Sequence, residues 1–124
     1  MIAHDAGQAL GRSWIDAWNR HDLDAVMDHL RDDIAFSSPH IPVIAGEPSG
    51  VLRGKRAVRA YWAEALRLMP DLHFDLLGVT VGHDAVAIRY TNQRGRESVE
   101  VLLVDDDGLV VRGAGTYGEA PYVS

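Results

Sequence analysis

Apolar residues along the first part of the chain recur every three or four positions. Leu10, Trp14, Ala17 and Trp18 share one face of a helix, and Asp5 followed by Gln8 has capping-box spacing, which predicts the helix start. Gly7 and Gly11 each weaken such a helix by about 1 kcal/mol relative to alanine, so tertiary packing must hold it. After a break at "NRHD", Asp22 caps a second short helix, Asp24 suits its positive end, and Val26, Met27 and Leu30 supply its buried stripe. The period then changes to two. Ile34, Phe36 and Ser38 alternate with Ala35 and Ser37, which predicts a strand with Ser38 on the Phe36 side.

Residues 39 to 53, with three of the five prolines, read as one long loop, a length often given to lids and binding segments. From Gly54 a third helix shows the clearest pattern, with Val58, Tyr61, Trp62, Ala65, Leu66 and Met69 on one face and Pro70 as its stop. Only strands follow: "LHFDLLGVTV", "AVAIRYTN", "ESVEVLLV" and "LVVRGAGTY" predict an antiparallel meander. A two-residue turn at Arg94 and Gly95 sets Ile88 opposite Val101, Tyr90 opposite Val99 and Arg89 opposite Glu100. On that register Ile88, Tyr90, Val99, Val101 and Leu103 face the helices, and Arg89 and Glu100 form an outer ion pair beside Leu102. "DDDG" suits a type I turn with Gly108 left-handed, which sets Leu103 opposite Val111 and Tyr117 on the inner face.

Composition narrows the function classes. At 124 residues the expectation is one domain over 1–124. Twelve Lys and Arg against eighteen Asp and Glu leave a net charge of −6, the wrong sign for nucleic acid or an anionic membrane. No cysteine is present, which removes disulfides, thiolate nucleophiles and zinc-thiolate sites. "MIAHDAGQALGR" lacks the basic lead and apolar run of a signal peptide, and no stretch reaches the ~18 apolar residues of a membrane span. A cytoplasmic protein is expected.

Several residues could carry chemistry. Ser38 and His40 lie at the exit of the first strand, where a histidine within hydrogen-bond reach could activate a serine. The same "SSPH" is also an ordinary way to start a turn and leave a sheet. Trp14, Trp18, Tyr61, Trp62, Tyr90 and Tyr117 lie mostly on predicted inward faces, where they either fill a core or line an apolar pocket. Six histidines raise the question of a metal, but none shows ligand spacing; His83 reads as a turn, and His73 with Asp75 as an outer pair. Neither metal nor cofactor is expected. Arg53, Lys55, Arg56 and Arg59 gather at the start of the third helix, as a solvated face or an anion contact.

Three helices followed by a curved sheet, with "RSWIDAWNRHDLDAVMDHLRDDIAFSSP" leading in and "MPDLHFDLLGV" after the third helix, resemble the nuclear transport factor 2-like superfamily and its SnoaL-like branch. The resemblance runs from about Ala9 to Tyr117. It implies an α+β, cone-shaped fold in which three N-terminal helices pack on a curved, mainly antiparallel sheet, and a homodimer through the outer sheet face. It also brings ketosteroid isomerases into comparison. Their tyrosine donor corresponds to Trp14, their base to Ser38, and their second acid donor to a position on or near Leu103. The histidine and acid of SnoaL-type cyclases correspond roughly to Gly113, Gly115 and Gly118, and the charged set of limonene epoxide hydrolase is imitated by Arg89 and Glu100 on the outer face.

The implied function is binding of a small, mostly apolar ligand in the cone without the family's catalytic acids. Its expected wall is Trp14, Trp18, Phe36, Ser38, Tyr61, Tyr90, Leu103 and Tyr117. The alternatives are an isomerase, hydrolase or cyclase using Ser38 and His40 on a hydrophobic compound, and a non-catalytic dimeric interaction module.

Overall fold

A computed structural model describes residues 1–120. Helix α1 (His4–Asn19) leads into α2 (Leu23–Met27), β1 (Leu30–Ser37), a single turn α3 (Ile41–Ile44), β2 (Val51–Arg53) and α4 (Lys55–Leu68). Four strands close the fold: β3 (Asp75–Val81), β4 (Ala85–Thr91), β5 (Glu97–Val104) and β6 (Val110–Tyr117). They form one six-stranded sheet in the order β2-β1-β6-β5-β4-β3, antiparallel except where β1 runs parallel to β6. The helices cover one face of this curved, open sheet, as expected of the α+β cone. None among the described residues is long and apolar enough to cross a membrane.

The proposed capping box does not form. Helix α1 starts at His4 with no side-chain cap, and Gln8 instead donates to the Val79 carbonyl (2.8 Å). The glycines of α1 have a packing reason: a Cβ at Gly7 would stand 2.6 Å from the Val81 methyls, and one at Gly11 2.7 Å from those of Val79. Their absence of side chains lets the helix press onto β3. Asn19 exchanges two hydrogen bonds with the Phe74 backbone (2.7 and 2.8 Å), so the helix also satisfies polar groups at the sheet's edge. Asp22 caps α2 as expected, accepting from Ala25 N (3.1 Å). The stretch 39–53 is less open than a single loop, because Pro42 in the first turn of α3 and the pairing of β2 with β1 divide it.

The register of β5 differs by one residue from the expectation, and every side chain on it changes face. Ile88 pairs with Glu100, Tyr90 with Ser98, and Arg89 with Val99. A two-residue turn of the predicted kind needs left-handed backbone at both central positions, which Arg94 does not favour. The chain forms a three-residue loop instead. Asn92 Oδ1 accepts from Arg94 N (2.9 Å) and Arg96 N (3.0 Å), and Gly95 alone adopts the left-handed conformation (φ 74°). Ser98, Glu100, Leu102 and Val104 therefore face the helices and are buried, while Val99, Val101 and Leu103 turn outward. The expected Arg89–Glu100 pair is replaced by Arg89–Glu97 (3.1 Å) across the outer face.

The last turn keeps Gly108 left-handed (φ 80°), with Asp105 Oδ1 accepting from Asp107 N and Leu109 N. An irregularity at Leu103 and Val104 then sets Leu103 opposite Arg112 rather than Val111. Tyr117 lies opposite Ser98, on the inner face as expected.

Candidate functional site

The inner face of β4, β5 and β6, roofed by α4 and α3, encloses a cavity of about 270 Å³. Aromatic rings form its inner part, and Asn92, Gln93, Arg94, Arg96, Glu97 and Glu119 line its other side. Trp62 meets Phe36, Trp18 and Trp14 edge-on, with centroids 5.1, 5.2 and 5.7 Å apart, and Phe74 packs on Tyr90 at 4.2 Å. Of the expected wall residues, Trp18, Phe36, Tyr61, Tyr90 and Tyr117 line this space. Trp14 is packed behind Trp62 in the core, Ser38 is buried behind the wall under the Tyr61 hydroxyl, and Leu103 is excluded because its strand turns it outward.

One wall residue was expected on the outer face instead. Glu100 projects from the centre of β5 into the cone, only 6% exposed. The Tyr90 hydroxyl donates to its Oε1 (3.3 Å), and its Oε2 is buried without a protein partner. Burial opposes ionisation, the Tyr90 hydroxyl offsets part of that, and the carboxyl pKa is raised to about 7. A carboxyl in this state can give or take a proton near neutral pH. The signal for it was in "NQRG", whose Asn and Gly three apart mark a type I turn and hence the correct face for Glu100.

Three phenols surround the carboxyl. Burial pushes the Tyr61, Tyr90 and Tyr117 hydroxyls upward in pKa, with the nearby Glu100 charge acting in the same direction, so all three remain donors. Tyr61 donates to Ser38 Oγ (3.3 Å). Gly115 lies opposite Glu100 across the strands, and a Cβ on it would approach the Tyr117 hydroxyl to 3.2 Å. The glycine thus lets the Tyr117 ring fold back beside the carboxyl.

Ser38 and His40 are brought together, but not as nucleophile and base. The His40 backbone N–H donates to Ser38 Oγ (3.2 Å), as in an ordinary turn, while the imidazole packs edge-on against Tyr117 with centroids 4.6 Å apart. Among the described residues no hydrogen bond joins that imidazole to Ser38, and burial lowers the His40 pKa. Ser38 is itself buried and accepts from the Tyr61 hydroxyl. His73 and Asp75 form the expected exposed outer pair (3.2 Å), and the described residues contain no cluster of three metal-ligating side chains.

A SnoaL-like domain profile matches residues 12–117. The chain belongs to the SnoaL-like family. A SnoaL-like protein of unknown function from Burkholderia thailandensis is 49% identical, with 95% of this chain and 98% of that one covered at a TM-score of 0.89. A candidate ketosteroid isomerase from Kribbella flavida shares the fold at 21% identity, covering 98% and 84% of the two chains (TM-score 0.70). So does a candidate polyketide cyclase from Streptomyces antibioticus, at 18% identity, covering 90% and 91% (TM-score 0.74). No curated protein matches the chain.

Proposed function

We propose that this SnoaL-like protein binds a small, mostly apolar molecule in its cone and exchanges a proton with it through Glu100. The observation that carries the reading is a buried carboxyl with one unpartnered oxygen at the wall of a cavity rich in aromatic rings. A carboxyl that titrates near pH 7 beside a phenol donor suits removal of a proton next to a carbonyl: Glu100 takes the proton while Tyr117 donates to the developing oxyanion. It departs from the expectation of a cone without the family's catalytic acids, which rested on Trp14, Ser38 and Leu103 at the compared positions and on Glu100 on the outer face.

Two measurements test it. Titrating lipophilic ketones while following tryptophan emission reports binding, because Trp18 and Trp62 line the cavity; silence across a broad panel removes the reading. Exchange of a bound ketone's acidic C–H in heavy water, followed by NMR, reports the proton transfer. Glu100→Gln should slow it by about a hundredfold or more, and equal rates would leave binding alone. His40 lines the cavity and packs on Tyr117, so His40→Ala should lower exchange by less than about tenfold; a loss as large as that of Glu100→Gln would restore the Ser38–His40 alternative.

The same reading includes a homodimer through the outer sheet face. Its support is the apolar row Val99, Val101 and Leu103 that the observed register turns outward on β5.

A further inference from the structure

We infer that the outer face of the sheet carries a second binding site, in which Arg53 and Arg112 hold the dianionic head of a phosphate or phosphomonoester over Ala35, with the Ser37 hydroxyl as a further donor. The site stands apart from the cone and does not depend on the function proposed for it.

The sheet register builds it. Ala35 on β1 pairs with Arg53 on β2 and with Arg112 on β6, so the two arginines flank one alanine in a single row across three strands. Two interstrand spacings put their Cα atoms about 10 Å apart. Ser37 occupies the next row, between Val51 and Ala114. These residues face away from the helices, because the alternate ones on β1, Ile34 and Phe36, are buried in the core. A cleft of about 60 Å³ opens here, lined by both arginines with Ala35, Ser37 and Val51. At about 30 Å³ per water in the liquid, it has room for the head of a small oxyanion and none for a ring.

Charge decides what fits. The only acids on β1, β2 and β6 are Asp32 and Asp33. Both are engaged elsewhere: Lys55 pairs with Asp32 (3.7 Å), and Arg31 donates to the two oxygens of Asp33 (2.9 and 2.7 Å). Among the described residues no ion pair or hydrogen bond engages the Arg53 or Arg112 guanidinium or the Ser37 hydroxyl. Two planar forks of N–H donors and one O–H donor thus line a gap that supplies them no acceptor. Guanidinium forks match the paired oxygens of carboxylate and phosphate, and two positive charges favour the dianion, the form of a phosphate group near neutral pH. The cleft lies on the β1 and β2 side of Arg112, opposite the Leu103 side where the apolar strip runs.

The amide shifts of Ala35 and Ser37, followed by NMR at about pH 8 and constant ionic strength, test the site with inorganic phosphate, glycerol phosphate and acetate. A chain of net charge −6 repels anions in general, so saturable binding reports the cleft. Phosphate should saturate the shifts, and acetate, with a single charge, should bind at least about tenfold more weakly. Arg53→Gln and Arg112→Gln should each weaken phosphate binding by about tenfold or more, and Ser37→Ala by about threefold. Arg56→Gln, which removes a cation outside the cleft, should leave it unchanged. Circular dichroism checks that each variant is folded. Shifts that never saturate, acetate as tight as phosphate, or an equal loss from Arg56→Gln overturns the site, and unchanged affinity in Ser37→Ala overturns the serine's part in it. Glycerol phosphate within about threefold of inorganic phosphate assigns the cleft to phosphomonoesters, since only the head enters; a deficit of about tenfold or more assigns it to the free ion.

Discussion

At the residue scale, Glu100 couples the site to stability. Its carboxyl is raised from 4.5 to about 7 by burial, so the folded state holds a proton that the unfolded state releases between those values. Folded molecules bind more protons across that window, hence stability falls as pH rises through it and the full penalty applies above about pH 7. A shift of this size corresponds to about 3 kcal/mol. Glu100→Gln should flatten the pH dependence and be the more stable form at pH 8, by about 1 to 3 kcal/mol in urea denaturation; a wild type whose stability does not change from pH 4.5 to 7.5 would show that Glu100 is not buried as an acid. Tyr90 provides a second check. Its hydroxyl favours the charged form of Glu100, so Tyr90→Phe should move the carboxyl's titration further upward, as read from its carbon chemical shift against pH.

At the scale of elements, the chain's periodicities located most of the fold, while one turn decided which side of a strand mattered. The stripe Val58, Tyr61, Trp62 and Ala65 is the buried face of α4, and the alternation of Ile34, Phe36 and Ser38 gives the inner face of β1. Strand β5 resisted the same approach because "SVEVLLV" is apolar enough to be read in either phase. A strand's period is two, so a loop longer by one residue exchanged a supposed row of valines for Ser98, Glu100 and Leu102. The site was hidden by that exchange, even though its tyrosines were legible. The α1 glycines were read as a propensity cost, and their contact with β3 gives them a positive role. Gly11→Ala gains about 1 kcal/mol in helix propensity, but its Cβ would meet the Val79 methyls at 2.7 Å. Overpacking costs typically about 1 to 3 kcal/mol, so the variant should be less stable by up to about 2 kcal/mol in a denaturant titration. Increased stability would mean that α1 can lift from the sheet at little cost.

At the scale of the whole molecule, the corrected register that turns Glu100 inward also redistributes the surface. Val99, Val101 and Leu103 now stand on the face away from the helices, flanked by the short side chains of Ala87 and Ala114. Arg89 and Glu97 border that strip as an ion pair. A flat apolar strip with a charged margin suits an isologous contact, in which each copy presents the same strip to the other. Light scattering at micromolar concentration should then give twice the chain mass. Val101→Glu would place a charge from each copy in a desolvated seam, at a cost of about 3 to 5 kcal/mol, which weakens association by more than about a hundredfold and should yield single chains. Because Val101 points away from the cone, the single chains should still bind the lipophilic ketones that the wild type binds; joint loss of pairing and binding would mean that the cavity depends on the partner. A wild type that scatters as one chain at every concentration would eliminate the dimer and leave the apolar strip on β5 without a role in assembly.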